Sequence, residues 1–143
     1  MRAVDTNVLI YAFFSDSPFH EPARSMVSAL AESPAPWAIP WPCIHEFYSV
    51  VTNPKLFTDS ALPDRARSQI NEWLRSSSLL LLAETAQHWR YLEAYLRESA
   101  VVGPTVHDAR IAALCLAHGV TELVTQDRDF SRFTKLKIRT LIG

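Results

Sequence analysis

Short apolar segments alternate along this chain with longer segments whose apolar residues recur at helical spacing. The predicted strands are residues 2–5, 37–39, 79–82 and 122–125, with a last strand over 135–139, where basic and apolar side chains alternate. The predicted helices are residues 8–14, 18–32, 42–53, 63–76, 85–99 and 105–118. Strands separated by helices predict an α/β fold with a central parallel sheet flanked by helices, in which 79–82 is fully buried.

Length and composition favour one compact domain over residues 1–143, because 48% of the side chains are hydrophobic. The formal charge of −1 neither suggests nor excludes nucleic-acid binding, which would need a local basic patch. Cys43 and Cys115 lie far apart in apolar segments, so buried thiols in a reducing compartment are expected. A signal-peptide pattern and an apolar run of roughly 20 residues are both missing, which predicts a soluble cytoplasmic protein.

Asp5 is a charged residue inside the apolar segment formed by residues 2–14. An ionised carboxylate that is buried without a partner costs several kcal/mol, so it is usually hydrogen-bonded, protonated or bound to a cation. Asp5 also lies where ligands bind in parallel α/β folds, beyond the carboxyl end of a strand. A structural explanation is equally good, because Asp, Thr and Asn favour turns and helix caps, and Thr6 or Asn7 could cap the first helix.

Four further acids share this ambiguity. Glu46 falls at the edge of an apolar helical stripe, whereas Asp108 lies in a segment that matches a capping box. Asp127 and Asp129 follow a predicted strand, where a turn would explain them. Strand ends and helix starts meet at one edge of a parallel sheet, so one shared site explains Asp5 and these acids more economically than separate local roles.

A shared site would need a positive charge. Carboxylates about 4 Å apart repel by about 4 kcal/mol per ionised pair at an effective dielectric constant near 20. Oxygen donors without His or Cys suit Mg²⁺ or Mn²⁺ better than zinc, and such a site implies phosphodiester hydrolysis by a metal-activated water. The five histidines lack zinc-ligand spacing, and the three glycines cannot form a Gly-rich phosphate loop.

The segments around these acids are residues 4–10, Glu46, residues 107–113 and residues 124–130. Together they resemble the PIN-domain ribonucleases, in particular the VapC-like toxins of bacterial toxin–antitoxin pairs, over almost the whole chain. The resemblance implies a Rossmann-like sheet, Mg²⁺- or Mn²⁺-dependent endonucleolytic cleavage of RNA, a homodimer and a cognate antitoxin.

The resemblance also implies roles for individual residues. Its catalytic and metal-binding acids fall on Asp5, Glu46, Asp108 and Asp127, with Asp5 and Asp108 as the direct metal contacts. Asp129 matches a more variable acid and is a further metal-ligand candidate. The hydrogen-bonding supports are Thr6, Asn7 and Thr125.

RNA binding requires positive charge near these acids. The candidates are Arg110, on the helix that carries Asp108, and Arg128, Arg132, Lys135, Lys137 and Arg139 in the last segment. A solvated strand face explains the charges of the last segment equally well.

Three other kinds of protein compete with this interpretation. A haloacid-dehalogenase-like phosphatase would also begin with a strand that ends in Asp, but it needs a second Asp where this chain has Asn7. A receiver domain would need paired acids near the N-terminus and a late Lys after a strand, and this pattern is missing. A PIN fold that only binds a protein partner stays open, although the intact set of acids argues against it.

Overall fold

The computed structural model describes residues 1–142, so Gly143 of the predicted domain lies outside the described residues. Its strands are β1 (Arg2–Val4), β2 (Trp37–Pro40), β3 (Leu79–Leu82), β4 (Glu122–Val124) and β5 (Lys137–Arg139). Its α-helices are α1 (Thr6–Phe13), α2 (His20–Glu32), α3 (Trp41–Val51), α4 (Leu62–Leu74), α5 (His88–Glu98) and α6 (Val106–Ala117). Short 3₁₀ helices cover Gly103–Thr105 and Arg128–Arg132. The predicted alternation of strands and helices is confirmed.

The sheet is parallel throughout, with the strand order β3-β2-β1-β4-β5. The chain lays down β1, β2 and β3 in one direction and then returns to place β4 and β5 on the other side of β1. The winding therefore reverses between β1 and β4, and ligands of such sheets bind beyond the carboxyl ends of the strands at this reversal. Asp5 directly follows β1, and Thr125 directly follows β4.

The core lies around the two central strands. Ala3 and Val4 of β1 and Leu123 and Val124 of β4 are fully buried. The helix α6 packs into this core because it is apolar nearly all round, as its sequence predicts. It ends before Gly119, whose φ of +74° is left-handed and favours glycine at this position.

The structure corrects three details of the prediction. The strand β3 is not fully buried but lies at the sheet edge, with Leu80 48% exposed, because a run of four leucines does not reveal how many neighbours a strand has. The last strand begins at Lys137, since Lys135 adopts a φ of +68° that interrupts the extended chain. The helix α5 begins at His88, after a turn in which the Thr85 carbonyl accepts the His88 N–H.

Across residues 1–142, none of the helices has the length and apolar character needed to cross a membrane.

Candidate active site

Asp5 lies at the carboxyl end of β1 and is only 4% exposed. It is also the N-cap of α1, because its Oδ1 accepts the backbone N–H of Thr6 at 2.8 Å. The prediction that Thr6 or Asn7 caps this helix was wrong, since both lie within the first turn. Capping and a place in a polar site therefore coincide in Asp5.

The second oxygen of Asp5 is held by residues that come from both central strand ends. The Thr125 hydroxyl donates to Oδ2 at 2.8 Å, and the Asn7 amide donates to Oδ2 at 3.3 Å. Thr125 Oγ1 in turn accepts two hydrogen bonds, one from the same Asn7 amide at 2.9 Å and one from the backbone N–H of Asp127 at 3.0 Å. Thr125 thus connects the carboxylate after β1 to the loop after β4.

These surroundings oppose the ionisation of Asp5. Burial is the largest effect and raises the pKa of Asp5 to about 6, with a smaller contribution from the negative charge of Glu46. The hydrogen bonds from Thr125 and Thr6 act in the other direction and favour the ionised form. Asp5 is therefore a carboxylate that a nearby cation would stabilise in its charged form.

Asp108 lies in the first turn of α6 and is partly buried. Burial raises its pKa, and so do the negative charges of Asp127, Glu46 and Asp129, while Arg132 opposes the rise. Thr105 is the N-cap of α6 but makes no side-chain capping bond, so the capping-box explanation for Asp108 lacks its first hydrogen bond. The predicted acids, Asp5 included, are thus coupled electrostatically as one group at one edge of the sheet.

The remaining acids differ in exposure. Asp127 is half-buried and caps the 3₁₀ helix Arg128–Arg132, since its Oδ1 accepts the Asp129 N–H at 2.9 Å. The turn explanation for Asp127 therefore holds, although this residue is also coupled to Asp108. Glu46 and Asp129 are exposed, so Glu46 does not share the burial of the apolar stripe beside it.

The acids form a loose group. Among residues 1–142, no three His, Cys, Asp or Glu side chains converge closely enough to hold a metal ion by themselves. The donors present are hard carboxylate oxygens, which suit Mg²⁺, and proteins usually bind Mg²⁺ through one or two carboxylates together with waters and substrate phosphate.

The basic candidates separate into different environments. Arg132 is near enough to Asp108 to oppose the rise of its pKa. Arg128 and Arg139 line a cleft of about 600 Å³ beside α2, together with Glu122. Arg110 is paired with Glu84, with 2.8 Å between Nε and Oε1. Lys135 and Lys137 are exposed.

The sequence did not reveal that Cys43 contacts the site. Both cysteines are buried thiols, as predicted, but Cys43 Sγ also donates to Asp5 Oδ1 at 3.6 Å. Burial and the neighbouring Asp5 charge raise the pKa of Cys43 well above its usual range and that of Cys115 to about 12, so both stay protonated. The position of Cys43 one helical turn before Glu46 was the available signal.

The profile of the PIN domain family matches residues 2–136. The chain belongs to the PIN-domain family. Within this family, the chain is 31% identical over 139 residues to ribonuclease VapC43 of Mycobacterium tuberculosis, and the match covers 97% of this chain and 94% of VapC43. It is 28% identical over 135 residues to ribonuclease VapC48 of the same species, covering 94% and 93% of the two chains. The predicted resemblance to VapC proteins is confirmed.

The fold of this PIN domain is also found in solved structures. One is the crystal structure of VapBC2 from Rickettsia felis bound to a DNA fragment from their promoter, with a TM-score of 0.69. The match covers 97% of each chain at 21% identity. The predicted PIN-like parallel α/β fold is therefore confirmed.

Proposed function

We propose that this PIN domain is a metal-dependent endoribonuclease that acts as the toxin of a toxin–antitoxin pair. The observation that carries the proposal is the group of coupled acids at the winding reversal of the sheet, in a chain that belongs to the VapC proteins. VapC43 and VapC48 are ribonucleases, and the acids of this chain provide the chemistry that such an activity needs.

The donor set fits a divalent cation. Mg²⁺, or Mn²⁺ in its place, would be held by Asp5 and Asp108 directly and by Glu46 and Asp127, with Asp129 as a further candidate. The raised pKa values of Asp5 and Asp108 support this assignment, because a cation offsets the burial and mutual repulsion that oppose their ionisation. When bound, the ion would neutralise charge on the phosphate to be cleaved and lower the pKa of a water molecule.

The protein residues have distinct roles in this proposal. The Thr6 N–H and the Thr125 hydroxyl each hold one oxygen of Asp5, and so fix the orientation of this carboxylate. Asn7 supports Thr125 through its amide. Glu46 is the proposed proton acceptor for the attacking water, because its exposed carboxylate is electrostatically coupled to Asp5 and Asp108 and lies outside the pair that would contact the ion directly.

An acidic site repels RNA phosphates, so binding must come from the basic residues around it. Arg132 is coupled to Asp108 and is suited to a phosphate next to the cleaved bond. Arg128 and Arg139 line the cleft of about 600 Å³ and are suited to RNA phosphates further from the cleaved bond. Lys135 and Lys137 are exposed and would make peripheral contacts with the RNA. Arg110 is the weakest of the predicted phosphate contacts, because Glu84 already offsets its charge.

Two partners are part of the proposal. A VapB-type antitoxin is supported by the fold that this chain shares with a chain of the VapBC2 structure from Rickettsia felis. A homodimer is expected from the VapC resemblance.

The function is tested by expressing the chain alone and together with the open reading frame next to its gene. We expect growth to stop when the chain is expressed alone and to recover on co-expression.

The purified chain should cut single-stranded RNA with millimolar Mg²⁺ or Mn²⁺ and should stop cutting when EDTA is added. Cleavage that continues in EDTA would contradict the metal dependence, and an inability to cut RNA with either ion would leave a PIN fold that only binds a partner.

Replacing Thr125 with Val should lower cleavage about 10- to 100-fold, which is the usual range for groups that orient metal ligands. Valine keeps the shape of threonine but removes the hydroxyl that donates to Asp5 and accepts the Asp127 N–H. The measurement is the single-turnover rate with saturating Mg²⁺. Thr125→Ser keeps the hydroxyl and is the matched control, so equal losses in the Val and Ser variants would show that packing matters here and not the hydrogen bond.

A further inference from the structure

A second, smaller cleft lies between α3 and α6, directly beside the acids. Its volume is about 260 Å³, and its walls include His45, Ser49, His107 and Arg110. Glu46 also lines it, so the cleft and the acid group share a side chain. The mechanism above uses Glu46 but gives no role to the two histidines.

Planar side chains in this cleft are held in place by neighbours outside it. The ring of His45 stacks on Trp41, with 6.0 Å between ring centroids and 29° between ring planes. The guanidinium of Arg110 is fixed by its ion pair with Glu84. His45 is exposed in spite of its stack, so its ring stays accessible to a ligand.

We propose that this cleft binds one unpaired nucleobase of the RNA, in a nucleotide next to the phosphate that is cleaved. Unpaired bases are recognised by stacking on aromatic, histidine or arginine planes and by hydrogen bonds to their edges. The imidazole and hydroxyl groups of His107 and Ser49 can both donate and accept such hydrogen bonds. This proposal rests on the proposed ribonuclease function, because it names the part of the substrate that the same site holds.

Size and charge favour a base over the other parts of RNA. The cleft is slightly smaller than the roughly 300–1,000 Å³ of sites that enclose drug-sized ligands, which suits a single ring system. A phosphate would be disfavoured, since Glu46 is negative and Glu84 offsets the charge of Arg110. A neutral base avoids this repulsion.

The first test uses the four ribonucleoside 5′-monophosphates as probes, with ribose 5-phosphate as the ligand control that lacks a base. NMR spectra of the side chains of His45, His107 and Ile111, which all line the cleft, are recorded during titration without metal. We expect at least one nucleotide to shift these signals, while ribose 5-phosphate does not. Equal shifts with ribose 5-phosphate, or unshifted signals with all four nucleotides, would overturn the proposal.

The second test uses His45→Ala and His107→Ala, with Trp89→Ala as the matched control. Trp89 is an aromatic residue that is 59% exposed and is not among the side chains that line the cleft. Each histidine variant should weaken nucleotide binding about tenfold, which corresponds to about 1.4 kcal/mol, while the control binds within about twofold of the original chain. Unweakened binding in both histidine variants would overturn the proposal. Melting curves of both variants are recorded as the control for folding.

The nucleotide titration does not depend on cleavage, so the two proposals can fail separately. If the chain binds nucleotides in this cleft but does not cut RNA, the base-binding cleft is supported and the ribonuclease function is contradicted. If the chain cuts RNA and its base preference is unchanged by both histidine substitutions, the ribonuclease function is supported and the base-binding cleft is contradicted.

Discussion

Replacing Asp108 with Asn should lower RNA cleavage by at least about 100-fold while the protein stays folded. Removing a group that only orients a metal ligand lowers activity by up to about 100-fold, so removing a ligand itself should lower it at least as much. The substitution keeps the shape of the side chain and removes a charge that is opposed by burial and by Asp127, Glu46 and Asp129. We therefore expect the melting temperature without metal to be unchanged or slightly higher.

Asp5→Asn should lower cleavage to the same extent but should also disturb a buried hydrogen-bond network. Hydrogen-bond donors from Thr6, Asn7, Cys43 and Thr125 converge on the two oxygens of Asp5. An Asn side chain replaces one of these oxygens with an NH₂ group, which faces donors and cannot accept their hydrogen bonds. Each buried polar group left without a partner lowers the free energy of unfolding by about 1–3 kcal/mol. Asp108→Asn is consequently the cleaner test of chemistry, and Asp5→Asn tests the hydrogen-bond network as well.

The two variants are compared by single-turnover cleavage and by urea denaturation. Asp16→Asn is the control, because Asp16 is an exposed acid in the α1–α2 connection and lies outside the coupled group. It should cut RNA at the rate of the original chain. Original rates in both the Asp5 and Asp108 variants would overturn the assignment of these acids to the site.

The sequence could predict the elements of the fold because apolar periodicity records which face of each element is buried. It could not predict the order of the strands, since that order depends on packing between segments that are far apart in the chain. The strands β1 and β4 are neighbours although residues 5–121 lie between them. The burial of β3 was predicted incorrectly for the same reason, because an edge strand and a central strand can have the same composition.

The candidate site was predictable as a set of acids but not as an arrangement. Val4 pairs with Val124, so the following residues, Asp5 and Thr125, emerge side by side, and only the sheet register gives this contact. The raised pKa of Asp5 and the approach of the Cys43 thiol depend on the same register and on the packing of α3. Local sequence explained Asp5 as a turn or cap residue, and the structure shows that it is a cap residue within a polar network.

The pH dependence of stability should carry the signature of Asp5. Burial raises the pKa of this acid from its ordinary value of 3.8 to about 6, so between these values the folded chain binds more protons than the unfolded chain. The free energy of unfolding of the metal-free protein should therefore fall as the pH rises through this window. A tenfold change in proton affinity corresponds to about 1.4 kcal/mol, so the contribution of Asp5 should decrease by about 2 kcal/mol between pH 4 and pH 7.

The measurement is urea denaturation in EDTA from pH 4 to pH 8, for the original chain and Asp5→Asn. Groups that titrate alike in both proteins cancel, so the stability of the original chain relative to the variant should fall with rising pH. A difference that is independent of pH, or that rises with pH, would contradict the raised pKa. A bound cation favours the ionised carboxylate, so millimolar Mg²⁺ should stabilise the original chain more at pH 7.5 than at pH 5, and should stabilise Asp108→Asn less at both. An ion held by the Asp5 carboxylate must compete with its proton. Equal stabilisation by Mg²⁺ at the two pH values would therefore contradict the assignment of Asp5 as a metal ligand.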